Sequence, residues 1–432
     1  MKILERLDAI WQGTDYPFLV YNGGELKFSE IASQNPLDLS PVKAGDVVAL
    51  IGDFTPSSIL TLLRLIDLGA IVVPLTIETN HEHEYFFASA HVDFVLRQDT
   101  PQRRTHSSQS SALISSLRET GHAGLVLFST GTTGRPKAIL HDLSLFMKRF
   151  ETPRPTLRTL NFLLFDHIGG INTLLHTLFN KGVVVAPGQR TVNSVLESCR
   201  MFDVEVLPTT PTFLRMMLMS GAVPELVPAC LKTITYGTER MDQPTLDDLC
   251  RLLPNVDFRQ TFGMSELGIV RVKSEARDSL FMKIGGEGVE TRVVDGVLQI
   301  RSQSRMLGYL NAPSPFDSEG WYDTKDVVEV KDGHYKVVGR ISDVINVGGL
   351  KFMASEVERV ALEFPNVALV KAYPKNNPIT GQHVELVAQP AGGRAVDKAE
   401  LSQFLKSKLM PHMVPKRIRI EDVDVGHRFK RA

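Results

Sequence analysis

Cysteine and tryptophan are scarce in this 432-residue chain, with three and two copies. Cys199, Cys230 and Cys250 are odd in number and widely spaced, with no CxxC pair to signal a zinc site or a redox dithiol, so a reducing compartment fits best. A surplus of either charge is also missing, since 48 Lys and Arg stand against 49 Asp and Glu. That balance gives no reason to expect nucleic acid or an anionic membrane as partner. No run approaches the roughly 20 apolar residues of a membrane span. Glu5 and Asp8 interrupt the N-terminal apolar stretch where a signal-peptide core would sit. The absences together lead us to expect a cytoplasmic protein with a small-molecule partner and no internal repeat.

What is present is enough apolar material, 43% of the residues, for two or three compact units. Val47-Val-Ala-Leu-Ile51 reads as a buried strand, and Ala70-Ile-Val-Val73 as a second. Between them a helix is marked by Thr55 as cap, Pro56 in its first turn, an Ile59, Leu62, Leu63, Ile66 face and Gly69 at its end. Leu125–Phe128, Val183–Ala186 and Val204–Leu207 are further strand candidates alternating with helical stretches such as Thr212–Met219. The expected fold class is α/β, with helix-covered parallel sheets. Residues 97–116, polar and serine-rich, read as a mobile surface connection. Beyond about residue 280, short strands and the turns Asp295-Gly and Asp332-Gly suggest a small barrel-like β part. A small α/β lobe should close the chain, with helices at 354–364 and 397–409 and strands at 367–373 and 385–388.

Ser129-Thr-Gly-Thr-Thr-Gly-Arg-Pro-Lys137 follows one of these strands. The small hydroxyl residues Ser129, Thr130, Thr132 and Thr133, with Gly131 and Gly134, let backbone N–H groups and hydroxyls close around an oxyanion, and Lys137 adds a positive charge. A polyphosphate is the natural guest. The spacing differs from the GxxxxGK[ST] loop of kinases and GTPases, because Gly131 and Gly134 are too close and Ala138 replaces the magnesium-binding hydroxyl.

The longer pattern resembles the signature loop of the AMP-forming adenylating superfamily, which contains acyl-CoA and aryl-CoA synthetases, peptide-synthetase adenylation domains and the luciferases. Other motifs similar to that family's follow in order. Leu164-Phe-Asp-His-Ile-Gly-Gly170 resembles the segment bordering the acyl pocket, and Tyr236-Gly-Thr-Glu239 the segment under adenine. Gln260-Thr-Phe-Gly-Met-Ser-Glu266 resembles the aromatic-Gly-x-Thr-Glu motif. Gly320-Trp-Tyr-Asp-Thr-Lys-Asp326 resembles the ribose-binding segment, with Lys325 replacing its glycine. Gly339–Gly349 resembles the hinge that opens the C-terminal lobe. The resemblance implies an N-terminal AMP-binding domain at 1–340 and a mobile lobe at 341–432, hinged at Asp343.

The same resemblance implies roles. Lys430, Glu266 and Lys137 are the expected catalytic residues, with Glu266 also holding Mg²⁺, as suits a carboxylate and a hard cation. ATP or AMP is met by the 129–134 loop, Gly237, Thr238, Glu239, Gln260, Phe262 stacking on adenine, Gly263, Ser265 at the α-phosphate, and Asp326 and Arg340 at the ribose. His167, Gly170, Thr210, Tyr236 and Met264 are the pocket candidates, and Gly348 and Gly349 line a pantetheine channel. The C-terminal lysine position admits two alignments, one giving Lys430 and the other His427. The implied activity joins a carboxylic acid to AMP with release of pyrophosphate, then passes the acyl group to CoA. The alternatives are an acyl carrier protein's phosphopantetheine or an amine as acceptor, and a non-catalytic nucleotide-binding relative. Asp166 keeps an amino-acid substrate open.

Overall fold

The computed structural model describes residues 2–31, 37–97, 101–104, 111–129, 134–155, 157–223, 225–392 and 394–426. The chain divides into two compact units, one of Met1–Pro208, Gly263–Val270 and Arg301–Phe316, the other of Thr209–Phe262, Arg271–Ile300 and Asp317–Ala432. The fold is α/β, and among the described residues no helix is long and apolar enough to cross a membrane.

In the first unit the strands Val47–Ile51 and Ile71–Leu75 run parallel, Val47 opposite Ile71 and Ile51 opposite Leu75. Phe94–Leu96 flanks the former in parallel and Gly124–Phe128 the latter. Every residue of Val47–Ile51 is buried, and the two faces serve different cores. Val48 and Leu50 pack with Leu7, Phe18, Ile59 and Leu63, whereas Val47, Ala49 and Ile51 pack with Phe86, Val95 and Leu117. Burial on both faces is why this strand is a continuous apolar run instead of an alternation. The connecting helix Pro56–Leu68 is capped as expected, Thr55 accepting from the Ser58 N–H and Gly69 turning left-handed at φ +81°.

Gly124–Phe128 also pairs antiparallel with Ala138–Asp142, so the expected phosphate loop joins two neighbouring strands. Gly308–Tyr309 covers the other edge of Ala138–Asp142. Elsewhere in this unit Leu19–Tyr21, Val183–Val185 and Arg158–Leu160 form parallel pairs. The surface connection expected over 97–116 is corrected in part. Gln102–Arg103 pairs with Phe94 and Val95, and the helix Ala112–Thr120 starts inside the range. Its apolar positions Ile114 and Leu117 are buried, and the surrounding serines hid that spacing. Residues 98–100 and 105–110 lie outside the described set.

In the second unit Thr233–Tyr236 and Asp257–Gln260 are parallel, and the helices Pro211–Met219 and Gln243–Leu252 belong to the same unit. The region expected to be barrel-like is an antiparallel sheet, with Tyr322–Lys331 between Val297–Ser302 and His334–Arg340. Its two Asp-Gly turns have φ of +50° and +78° at Asp295 and Gly296, and +49° and +72° at Asp332 and Gly333. Two successive positive φ values define the hairpin turn that suits twisted strands.

Residues beyond 341 carry a core of their own, built on Ile345, Val357, Val370, Leu386, Leu401 and Leu405. The hairpin strands there, Val367–Asn377 and Gly381–Pro390, are longer than expected. Their polar ends read as loop, but the Asn377 side chain accepts from the N–H groups of Ile379 and Thr380 and so closes a turn that keeps the ladder going.

One glycine shows how tightly the first unit is built. A Cβ at Gly170 would lie 2.0 Å from the Leu164 carbonyl oxygen and 2.7 Å from that of Leu163. Both obstacles are backbone, so nothing can swing aside. Gly170→Ala is therefore expected to cost at least about 2 kcal/mol of stability, measured by urea unfolding; an unchanged midpoint would contradict this packing.

Candidate functional site

The phosphate loop is closed by its own ends. The Ser129 N–H donates to the Lys137 carbonyl at 3.0 Å, and the Lys137 N–H to Ser129 Oγ at 3.0 Å. Both hydrogen bonds continue the ladder of a fully buried strand pair, so the loop cannot slide. Thr130, Gly131, Thr132 and Thr133 lie outside the described residues. Past the loop the limb is pinned twice more: Tyr85 donates to the Pro136 carbonyl at 2.8 Å, and the Ala138 N–H donates to Asn311 Oδ1 at 2.9 Å.

Glu266 and Ser265 belong to the same unit. The Tyr309 hydroxyl donates to Glu266 Oε1 at 2.7 Å, and the Lys137 ammonium lies 4.9 Å from the centroid of the Tyr309 ring. The fold thus brings Lys137 and Glu266 against one side chain. Ser265 is fixed through its carbonyl, which accepts from His141 Nε2 at 2.6 Å. A carbonyl only accepts, so Nε2 carries the proton. Burial drives the His141 pKa down to about 4 and keeps the ring neutral. Gly263 is needed for closeness, because a Cβ there would meet Ile269 at 2.9 Å and the Gly268 carbonyl at 3.1 Å. Met264 is half-buried beside it. His167 caps the helix Ile168–Phe179, its Nδ1 accepting from the Gly169 N–H at 3.0 Å.

The magnesium ion implied for Glu266 fits this donor set. Among the described residues no three His, Cys, Asp or Glu side chains gather into a protein-only metal site. Glu266 offers a half-buried carboxylate with one oxygen anchored by Tyr309. A single carboxylate suits a hard divalent cation whose other ligands are phosphate and water oxygens.

The second unit holds the residues expected at the nucleoside. Asp326 is 6% exposed, and Arg340 Nε donates to its Oδ1 at 3.3 Å from the opposite residue of the paired strand. Burial pushes the Asp326 carboxyl up to about 6, against the opposing pull of the Arg340 guanidinium. The Asp326 N–H donates to Thr324 Oγ1, which in turn donates to the Leu298 carbonyl. Lys325 takes φ +62°, so the position does require the left-handed backbone that glycine would adopt freely. It is held there by Asp323, which accepts from the Lys325 N–H at 2.9 Å and from its ammonium at 2.6 Å.

Gly237 is a second close approach, where a Cβ would lie 2.7 Å from the Thr261 carbonyl. Thr238 follows at φ +71°, an outlier for a β-branched residue, and among the described residues its buried hydroxyl has no hydrogen-bond partner. Strain and an unanswered polar atom in one residue point to a ligand-facing role. Gln260 Oε1 is likewise buried without such a partner. Phe262 is 9% exposed, Tyr236 is 1% exposed, and Thr210 caps the helix Pro211–Met219. Glu239 accepts from the Thr212 N–H at 2.9 Å. Asp343 accepts from the Arg340 N–H at 3.0 Å in the turn Ile341–Asp343, and Gly348 and Gly349 make a hairpin turn at φ +61° and +89°. Lys430 and His427 lie outside the described residues.

Motif reading missed Tyr309, Asn311, Tyr85 and His141. Each reaches the site through strand pairing or packing remote in sequence, and no local spacing announces it.

A family model described as AMP-binding enzyme matches residues 37–310. The chain is similar to the mitochondrial malonate–CoA ligase of Bos taurus, 27% identical over 352 residues, which are 67% of this chain and 60% of that protein. This chain thus spans 60% of that curated relative's length. Two solved structures share its fold. One is o-succinylbenzoate CoA synthetase of Bacillus subtilis in complex with its acyl-adenylate intermediate, with TM-score 0.77 and 19% identity over 99% of this chain and 96% of that one. The other is the amide bond synthetase McbA of Marinactinospora thermotolerans, with TM-score 0.78 and 19% identity over 99% and 98%.

The left-handed Lys325 generates a test. A side chain in that conformation costs about 1–2 kcal/mol, and the exposed Lys325–Asp323 ion pair returns only a fraction of it. Lys325→Gly is expected to raise the thermal midpoint; a lowered midpoint would mean the ion pair outweighs the backbone strain.

Proposed function

We infer the reaction from the premise that this chain belongs to the AMP-binding enzyme family, within the adenylate-forming superfamily that contains acyl-CoA and aryl-CoA ligases. The reading is that it activates a carboxylic acid with ATP and transfers the acyl group to the thiol of CoA. The observation that carries it is Lys137 and Glu266 meeting on Tyr309 beside the closed loop. A fixed ammonium and a fixed carboxylate suited to a cation are what a polyphosphate needs at its charged end.

In the first step a carboxylate oxygen forms a bond to the α-phosphorus, the bond from that phosphorus to the bridging oxygen breaks, and pyrophosphate leaves. Anions must approach one another, so rate comes from positioning and charge neutralisation. Lys137 and the N–H groups of the loop bind phosphate oxygens, and Lys430 bridges the carboxylate and the α-phosphate. Glu266 holds magnesium, whose charge offsets that of the phosphates. Asp326 accepts from the ribose hydroxyls, Arg340 steadies it, and Phe262 lies against adenine. In the second step the thiol sulfur bonds to the acyl carbon, the bond from that carbon to AMP breaks, and the thiol proton goes to solvent. Rotation of residues 341–432 about Asp343 would withdraw Lys430 and bring Gly348 and Gly349 to the pantetheine arm. The half-buried His167 and Met264 support a pocket for a short or aromatic acid.

An amine or a carrier-protein thiol as acceptor is the second reading, favoured by the likeness to an amide bond synthetase. Supplying CoA, carrier protein and hydroxylamine separately to the enzyme with ATP and a panel of carboxylic acids distinguishes them; AMP formation independent of any acid would overturn both.

Two expectations follow for the roles. Lys430→Ala should abolish acid-dependent pyrophosphate exchange yet spare thiolysis of a supplied acyl-adenylate, and normal exchange would shift the role to His427. Asp326 must be ionised to accept two hydroxyls. With its carboxyl raised to about 6, affinity for adenosine should fall roughly tenfold as pH drops from about 8 to about 5. Asp326→Asn should bind more weakly at pH 8 and show a flat profile by calorimetry.

A further inference from the structure

Tyr309 is held by a segment that touches both halves of the phosphate chemistry. The Met306 N–H donates to the Glu266 carbonyl at 2.8 Å, the Leu307 N–H to the Leu140 carbonyl at 2.7 Å, and the Leu310 N–H to the Ala138 carbonyl at 2.9 Å. Asn311 then receives the Ala138 N–H. Five consecutive residues beyond Met306 therefore lock onto the strand that leaves Lys137, while Met306 locks onto the backbone of Glu266. Tyr309 stands opposite Ile139 in this ladder and is 7% exposed. Its ring cannot drift without breaking the ladder.

The two ends of that side chain do different things. Its hydroxyl is the group that hydrogen-bonds the Glu266 carboxylate among the described residues, and it takes Oε1, leaving Oε2 for another ligand. Its ring face attracts the Lys137 ammonium, exposed on a flexible stem, and gives it a resting seat beside that carboxylate. A carboxylate and an ammonium that would otherwise sample many rotamers, each losing that freedom on binding, are thereby arranged in advance.

We propose that Tyr309 is a positioning residue that sets the Glu266 carboxylate and the Lys137 ammonium in one register for a metal-bound polyphosphate. The inference rests on reading Glu266 as the cation's ligand and Lys137 as a phosphate contact. The competing role is packing alone, since Tyr309 also sits in an apolar cluster with Ile139 and Met306. Tyr309→Phe separates the two, because it keeps the ring and its packing and removes only the hydroxyl.

The test reads Mn²⁺ as the probe, by electron paramagnetic resonance of the free ion, with the full chain saturated by an α,β-methylene analogue of ATP. Tyr309→Phe is expected to raise the Mn²⁺ dissociation constant on the order of tenfold, as loss of a hydrogen bond to a charged acceptor would. Its thermal midpoint and its metal-free affinity for the analogue should stay as in the parent. Tyr309→Leu, which also removes the seat for the ammonium, should weaken metal-free binding of the analogue as well. Parent-like Mn²⁺ binding by Tyr309→Phe would overturn the proposal. Glu266→Gln tells the two failures apart: if it weakens Mn²⁺ while Tyr309→Phe does not, only the role of Tyr309 falls. If neither weakens it, the assignment of Glu266 falls first.

Discussion

The pair of hydrogen bonds between Ser129 and Lys137 is the constraint on which the phosphate end depends. They close a loop whose residues could otherwise take many conformations, and they do so as the last rungs of a ladder in which both strands are wholly buried. A one-residue slip would turn Leu125, Leu127, Val126 and Phe128 to the wrong cores, so the register, and with it the mouth of the loop, is set by burial on two faces. The far edge of Ala138–Asp142 is then covered by Gly308–Tyr309, and that covering delivers Tyr309 and Asn311 to the loop. Closing a sheet edge and building a site are here one event.

The nucleoside-binding candidates of the second unit follow a different physical logic, in which local cost is concentrated where ligand contact is proposed. Asp326 is a buried acid held near its titration point by opposing effects, desolvation raising its pKa and Arg340 lowering it. Lys325 and Thr238 both adopt left-handed backbone without being glycine. Such features persist only where surrounding structure over-determines them. For Lys325 that structure is the Asp323 carboxylate, which grips both its N–H and its ammonium.

Much of the fold was legible because local chemistry and final environment agree. The run Val47–Ile51 is apolar throughout because both its faces are buried, and Thr55 and Gly69 end their helix as their side-chain chemistry dictates. Asp295-Gly and Asp332-Gly turn where the residues allow positive φ. Reading failed where polar residues sit in regular structure. Ile114 and Leu117 make a buried helix face inside a serine-rich stretch, and Lys375, Asn376 and Asn377 extend a strand because a partner strand supplies their hydrogen bonds.

The order of motifs from Ser129 to Arg340 was enough, by itself, to determine the class of chemistry: small hydroxyl and glycine residues that can wrap a phosphate, a carboxylate for a hard cation, and an aspartate for vicinal hydroxyls. Only the tertiary structure decided that the carboxylate of Glu266 and the ammonium of Lys137 share Tyr309, that His141 is neutral and bound to the Ser265 carbonyl, and that Asp326 is buried against Arg340. The reason is that these contacts are made by strands paired across long stretches of chain. Their register depends on which faces become buried together, a property of the assembled cores that no local spacing contains.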